Sequence, residues 1–151
     1  MRINYFYNDK GNVYFSPFKI KYNTTALTFV NQLTVKHLFT LDGYFKSVRS
    51  IFNIKQKIPI IINNKTILIY SKGFRHYKSI FINYYEIESV IKFDKNILIH
   101  FKDSSELKLD MSYYEYVKYR NKVIKMLKYK NNLEWIHFHI RWIFKLLLYM
   151  V

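Results

Sequence analysis

The chain has 151 residues, a formal net charge of +15 at pH 7 and no cysteine. This length predicts one domain, large enough to bury a core without disulfides or a structural metal. The lack of cysteine also excludes thiol nucleophiles and Cys-based zinc sites. Half of the residues are hydrophobic, a fifth are aromatic, three are glycine and two are proline, which excludes a disordered or low-complexity chain.

Positive charge is concentrated between residues 10 and 78, where twelve Lys and Arg residues and a single acid, Asp42, give a charge of +11. Such a charge favours an anionic partner, either nucleic acid or a membrane surface. AT-rich codon usage also enriches lysine, but it does not explain why acids are excluded from this part of the chain. We therefore predict a folded basic surface. The N-terminus lacks a secretory signal pattern, so a cytoplasmic protein is expected.

Two kinds of apolar spacing occur in the first 85 residues of the chain. From residue 34 to residue 53 the spacing is helical, which predicts a short helix, a turn at Asp42–Gly43 and a second short helix. Alternating or aromatic runs predict short antiparallel strands at residues 3–7, 13–15, 18–22 and 79–85.

A β-hairpin is predicted in the middle of the chain. The β-branched runs 58–62 and 66–70 flank Asn63–Asn64, and asparagine tolerates the left-handed backbone that a tight turn needs. Pro59 lacks the N–H that a strand ladder requires, so the first of these strands belongs at a sheet edge or begins there.

A second hairpin is predicted from residues 97–101 and 107–109, whose alternation indicates one buried face. Ser112 and Glu115 follow at the spacing of a capping box, in which each side chain satisfies a backbone N–H at a helix start. They begin an amphipathic, basic helix predicted to end near Asn131–Asn132.

The last 19 residues, 133–151, form a very apolar tail that predicts a further helix. Its length is that of a bilayer span, but Arg141 and Lys145 near its centre make an intact span unfavourable. Packing on the domain, pairing with a second copy, or lying in a membrane interface remain as alternatives, in that order. We predict an α+β domain over residues 1–132, in which two short helices precede a small antiparallel sheet of hairpins and the Ser112 helix packs on that sheet.

Catalytic motifs are not evident in the sequence. There is no phosphate-binding glycine loop and no nucleophile elbow. His137 and His139 lie two residues apart, whereas a helical zinc pair requires a spacing of four. Among the carboxylates of the second half, Asp103 falls in a predicted turn, and Glu106 and Asp110 fall on a predicted solvent face, which favours a structural role. We therefore expect no enzyme, no metal site and no cofactor.

Several short motifs occur in order between Gly43 and Leu127. Gly43 precedes Lys57-Ile58-Pro59-Ile60 by fourteen residues, the spacing between a G-[RK]-K-A and a K-P-P-I element. Together with later motifs, they resemble the ComK competence transcription factor family. The later motifs correspond here to Arg75, residues 79–83 with Phe81 in a tryptophan position, residues 87–90, Ile99-His100-Phe101, Leu107-Lys108-Leu109 and Ser112-Tyr113.

The resemblance covers about 85 of the 151 residues. It implies a self-associating transcriptional activator of competence (DNA-uptake) genes, which binds AT-rich promoter boxes largely through the minor groove. It also implies control of the protein level by an adaptor and a Clp protease. The sequence departs from the family pattern in several places. Tyr44 and Phe45 replace two basic residues, an F-P-T element is lost, and two residues are missing from the first hairpin. The N-terminal arm is also short, and the tail after Asn132 has no counterpart.

Under this interpretation the partner is double-stranded DNA, and narrow AT-rich minor grooves attract inserted Arg and Lys. A rival from another class is a peripheral membrane or protein-interaction module, with a pleckstrin-homology-like sheet and an interfacial tail helix. Both use the same basic surface, so a binding assay must separate them. The residues expected to contact DNA phosphates or grooves are Lys46, Arg49, Lys55, Lys57, Lys72, Arg75 and Lys78.

Overall fold

The computed structural model describes the backbone of residues 2–149 and the side chains of residues 2–134, 139 and 140. Within these residues the fold is α+β, with nine strands and three α-helices. In chain order, the elements are β1 (Tyr5–Asp9), β2 (Asn12–Ser16), β3 (Ile20–Tyr22), α1 (Ala26–Lys36), α2 (Leu41–Phe52), β4 (Ile60–Asn63), β5 (Thr66–Tyr70), β6 (Ile80–Asn83), β7 (Ile87–Phe93), β8 (Asn96–Phe101), β9 (Glu106–Leu109) and α3 (Tyr113–Tyr149).

The strands form two antiparallel sheets in the described chain. The larger sheet has the order β3-β2-β1-β6-β5-β4, and the smaller one has the order β7-β8-β9. Both predicted hairpins are confirmed, as β4–β5 and as β8–β9. Pro59 immediately precedes β4, which is an edge strand as predicted.

The larger sheet is completed by a pairing between residues far apart in sequence. Strand β1 lies antiparallel to β6, with Phe6 opposite Phe81. The rings of these two residues stack with centroids 5.1 Å apart, and the Phe29 ring of α1 meets Phe6 edge-on at the same distance. This aromatic cluster forms the core between the sheet and α1.

The predicted turn at Asp42–Gly43 is wrong, because these residues lie in the first turn of α2. The helices are instead separated by residues 37–40. The Thr40 hydroxyl caps α2 by accepting a hydrogen bond from the N–H of Gly43 at 3.3 Å, and a Cβ on residue 43 would lie 3.1 Å from that hydroxyl. Glycine is therefore required here for close approach to the cap, not for a turn.

Helix α1 ends in a Schellman motif, which satisfies its last carbonyls. The N–H of Phe39 donates to the carbonyl of Thr34 at 3.2 Å, and the N–H of Leu38 donates to that of Val35 at 3.0 Å. Leu38 takes the left-handed conformation, with φ of 67°, at the position that glycine usually occupies in this motif. A left-handed backbone costs a residue with a side chain about 1–2 kcal/mol.

The predicted capping box begins α3, as expected. The Glu115 N–H donates to the Ser112 hydroxyl at 3.2 Å, and the Ser112 N–H donates to the Glu115 carboxylate at 3.1 Å. The predicted helix end near Asn131–Asn132 is wrong, because α3 continues to Tyr149. Asparagine costs only some tenths of a kcal/mol in a helix, and neither glycine nor proline interrupts the run.

Two compact units divide the chain, residues 1–119 and residues 120–151. In the first unit, Tyr116 and Tyr119 from the first turns of α3 are buried. The second unit is the remaining length of α3. Among the residues that the structure describes, no helix combines the length and apolar character needed to span a membrane. The domain boundary after residue 132 stays a prediction.

We expect Ser112→Ala to lower the free energy of unfolding by about 1 kcal/mol, because it removes the hydroxyl that caps α3. Chemical denaturation measures the change. Ser50→Ala is the matched control, since Ser50 is exposed within α2 and alanine favours a helix interior. Equal unfolding midpoints for Ser112→Ala and the wild-type protein would contradict the capping role.

Candidate nucleic-acid interface

Helix α2 separates apolar and basic side chains on opposite sides. Leu41, Phe45 and Val48 are buried at helical spacing, whereas Lys46 and Arg49 are exposed. The Arg49 guanidinium lies 5.8 Å from the centre of the Phe45 ring, within the range of a cation–π interaction. The buried side chains therefore fix the helix and direct two of the predicted DNA contacts outward.

Tyr44 joins α2 to the edge of the larger sheet, at β4, through two hydrogen bonds. Its hydroxyl donates to the Pro59 carbonyl at 2.8 Å and accepts from the Ile61 N–H at 3.0 Å. Burial raises the pKa of the Tyr44 phenol, so the group remains a neutral donor and acceptor at physiological pH. Tyr44 and Phe45, which stand where the related family has basic residues, thus have structural roles in this chain.

The second basic element is the segment of residues 71–79 between β5 and β6, which we call the basic loop. Its ends are joined reciprocally: the Ile80 N–H donates to the Ser71 hydroxyl at 2.9 Å, and the Lys72 N–H donates to the Ser79 hydroxyl at 3.2 Å. Lys72, Arg75 and Lys78 are all exposed on it. The loop therefore presents three predicted contacts from a closed, hydrogen-bonded base.

Phe74 holds the basic loop against the core. Its ring lies 5.1 Å from that of Phe45, 5.8 Å from that of Tyr70 and 6.1 Å from that of Phe81, in edge-to-face arrangements. Through Phe45, the loop and α2 are packed together. An aromatic residue between Gly73 and Arg75 in an otherwise polar segment was the sequence signal for this anchor, and the sequence reasoning missed it.

Lys57 has a role that its sequence position did not reveal. Its ammonium donates to the carbonyls of Ser71 at 2.6 Å, Lys72 at 3.1 Å and Tyr70 at 3.3 Å. It also lies 5.8 Å from the centre of the Tyr70 ring. An ammonium has three N–H donors, so these carbonyls match its full donor capacity. Lys57 thus positions the start of the basic loop, and its predicted direct DNA contact remains a prediction.

An open cleft of about 460 Å³ brings several of these residues together. Arg49 comes from α2, Lys55 and Lys57 from the following segment, and Arg75 from the basic loop. Four of the seven predicted residues therefore line one cleft, although they span 27 positions of sequence. Lys46, Lys72 and Lys78 are exposed but are not part of its lining.

A second cleft of about 450 Å³ shares Asp42, Phe74 and Arg75 with the first. Its other walls include Val35 and Thr40, from the end of α1 and the start of α2. Within the described residues, Arg75 forms no ion pair with a carboxylate. The Arg75 side chain is exposed.

The fold and this site define a basic α+β protein in which an amphipathic helix and a fixed basic loop line one cleft. A family model described as ComK protein matches residues 16–134. The match covers more than half of the chain, so the chain belongs to the ComK family, a family of competence-related transcription factors rather than enzymes. Comparison with curated proteins gives no match, and neither does comparison with solved structures.

The extent of the match refines the resemblance seen in the sequence. It begins at Ser16, the last residue of β2, and ends at Glu134, so it includes α1, α2, the basic loop and the smaller sheet. The resemblance to ComK is thereby confirmed and extended beyond residues 43–127. The match ends two residues after Asn132, where the apolar tail begins.

We expect Lys57→Met to lower the free energy of unfolding by about 1–3 kcal/mol, because hydrogen bonds to a charged group are lost and partly buried carbonyls remain. Hydrogen exchange in residues 71–79 should accelerate. Lys55→Met removes the same charge from an exposed neighbour in the same cleft and should change stability by less than about 0.5 kcal/mol. Identical effects of the two substitutions would exclude a special role for Lys57.

Proposed function

We propose that this protein is a sequence-selective, duplex DNA-binding transcriptional activator of competence (DNA-uptake) genes, acting in the cytoplasm on AT-rich promoter boxes. Membership of a transcription factor family supports the class of function. The observation that carries the proposal is the cleft in which Arg49, Lys55 and Arg75 converge from separate elements. Cations held on a rigid framework bind a regularly spaced polyanion with little ordering cost.

Under this proposal the seven basic residues have three roles: entering the groove, contacting phosphates and shaping the basic loop. Arg49 and Arg75 line the cleft and are the candidates for entering a narrow minor groove, where AT-rich sequences concentrate negative potential. Lys46, Lys55, Lys72 and Lys78 are exposed and contact phosphates, which position a protein without reading sequence. Lys57 acts on DNA binding through the shape of the basic loop.

Arg75→Gln should reduce the slope of log affinity against log salt by roughly 0.9, the value for one lost phosphate contact, and should weaken the preference for AT-rich over GC-rich duplex. Lys95→Gln is the matched control, since Lys95 is exposed at the turn between β7 and β8. Fluorescence anisotropy across a salt series measures both quantities. A loss of affinity with unchanged sequence preference would reassign Arg75 to phosphate contact alone.

Competition identifies the groove. A drug that fills the AT minor groove should displace the protein, whereas a major-groove ligand should not, because the two grooves expose different base edges. Equal, weak binding to every duplex would reduce the proposal to non-specific polyanion binding. Sedimentation with anionic vesicles in the absence of any DNA binding would favour the membrane module instead.

We further propose that the protein is a homo-oligomer, because a large exposed apolar surface on the tail would exceed what soluble monomers tolerate. Removing residues 133–151 should lower the thermal stability or the mass measured by light scattering. If both stay unchanged and DNA binding persists, the tail has another purpose. The tail side chains expected to mediate this packing or self-association are Trp135, Ile136, Phe138, Ile140, Trp142, Ile143, Leu146 and Leu147. Among them, only Ile140 lies within the described side chains, and it is 45% exposed.

Control of the protein level by an adaptor and a Clp protease is proposed from membership of the family alone.

A further inference from the structure

Leu38 combines two unfavourable features in one residue. Its side chain is 95% exposed, and its backbone is left-handed, with φ of 67°. In the described chain, the other residues with positive φ are polar, charged or glycine. The Schellman motif at this position would accept glycine without strain, so the fold itself gives no reason for a leucine here. A strained residue whose side chain packs on little of its own domain points to a role outside the fold.

Most of the exposed residues close to Leu38 in sequence are polar or basic. Lys36, His37 and Thr40 are exposed on either side of it. Val35 and Thr40, which flank the turn, line the second cleft together with Arg75. Leu38 thus lies at a turn next to the cleft that Arg75 lines, with Val35, which is 60% exposed, as an exposed apolar neighbour. Two such side chains do not form a broad apolar patch of the kind that protein partners usually cover.

We propose that Leu38 is an apolar wedge that enters between adjacent base pairs of the duplex, an inference that rests on the proposed DNA binding. Proteins that bind the minor groove insert leucine and similar side chains between base steps, unstacking the step and kinking the duplex. Pyrimidine–purine steps such as TA, which AT-rich sites contain, unstack most easily. The occupant is a base step because Lys36 lies close to Leu38 in sequence and because Val35 and Thr40, on either side of Leu38, line the cleft that contains Arg75.

The turn is built to hold such a wedge. The hydrogen bonds from Leu38 and Phe39 to the end of α1 fix the backbone, so the Cβ direction is set before binding. Because the backbone is already ordered, insertion does not have to fix it as well. The exposed leucine then gains apolar contacts with the separated bases that it lacks in the unbound protein.

The test uses the full chain and a duplex that contains TA steps and binds the wild-type protein. Donor and acceptor dyes at the duplex ends measure bending, and 2-aminopurine at the TA steps reports unstacking. The wild-type protein should bend the duplex and raise the 2-aminopurine fluorescence. Leu38→Gly should abolish both signals and lower affinity by about tenfold, the scale of losing the burial of one leucine side chain. Leu38→Met should retain them, because the apolar bulk is kept.

Two controls separate this effect from unfolding and from general loss of apolar surface. Leu38→Gly relieves the left-handed strain, so its melting temperature should rise by a few degrees. Ile91→Ala trims an apolar side chain that is 47% exposed on β7 of the smaller sheet, outside both clefts, and should leave bending unchanged.

Each outcome decides the proposal. If Leu38→Gly binds and bends the duplex as the wild-type protein does, the wedge is overturned while DNA binding stands. If the wild-type protein binds no duplex, the proposed function fails and the wedge with it. If Leu38→Gly still bends DNA but lowers the mass in light scattering, Leu38 belongs to a protein interface and the wedge is overturned.

Discussion

The pairing of β1 with β6 is the constraint on which the rest of the fold depends. It joins the strands of the N-terminal hairpin to those that surround the basic loop, and the stacked Phe6 and Phe81 rings make the junction apolar on the core side. Strand β6 begins where the basic loop ends. The position of Arg75 therefore follows from residues near the N-terminus as well as from its own neighbours, and from the ring of Phe74 that reaches Phe81.

The candidate nucleic-acid interface is held in place by residues that also belong to the core. Phe45 is buried beneath α2, lies under the Arg49 guanidinium and touches Phe74 of the basic loop. Lys57 satisfies carbonyls at the start of the same loop. Because packing and polar contacts fix both basic elements, the separation between their cations is part of the fold, which is what recognition of a repeating backbone requires.

Sequence reasoning succeeded where the signal is local. The capping box depends on residues three apart, and the two hairpins depend on alternation and a short turn, so Ser112, the asparagine turn and Pro59 were all informative. It failed where a residue acts through distant contacts. Gly43 resembled a turn residue because its need for space, next to the Thr40 hydroxyl, depends on a three-dimensional contact.

The candidate site shows the same division. The concentration of positive charge between residues 10 and 78 suggested the candidate residues, and membership of the ComK family supports a transcription factor as the class of protein that carries them. No sequence pattern distinguishes an ammonium that will bind carbonyl oxygens from one that will bind phosphate oxygens, so Lys57 resembled its neighbours. The end of α1 at Leu38 was not predicted, because leucine, unlike glycine, does not signal the end of a helix.

Tyr44 has a consequence for the solution behaviour of the protein. Strand β4 is an edge, and an edge strand exposes backbone groups to which another chain can pair. The Tyr44 hydroxyl occupies the Pro59 carbonyl and the Ile61 N–H, and proline contributes no donor at residue 59. One phenol thus takes the place of a neighbouring strand at this edge. The helix that carries Lys46 and Arg49 therefore also protects this edge from pairing with another chain, which matters for a protein in which half of the residues are hydrophobic and a fifth are aromatic.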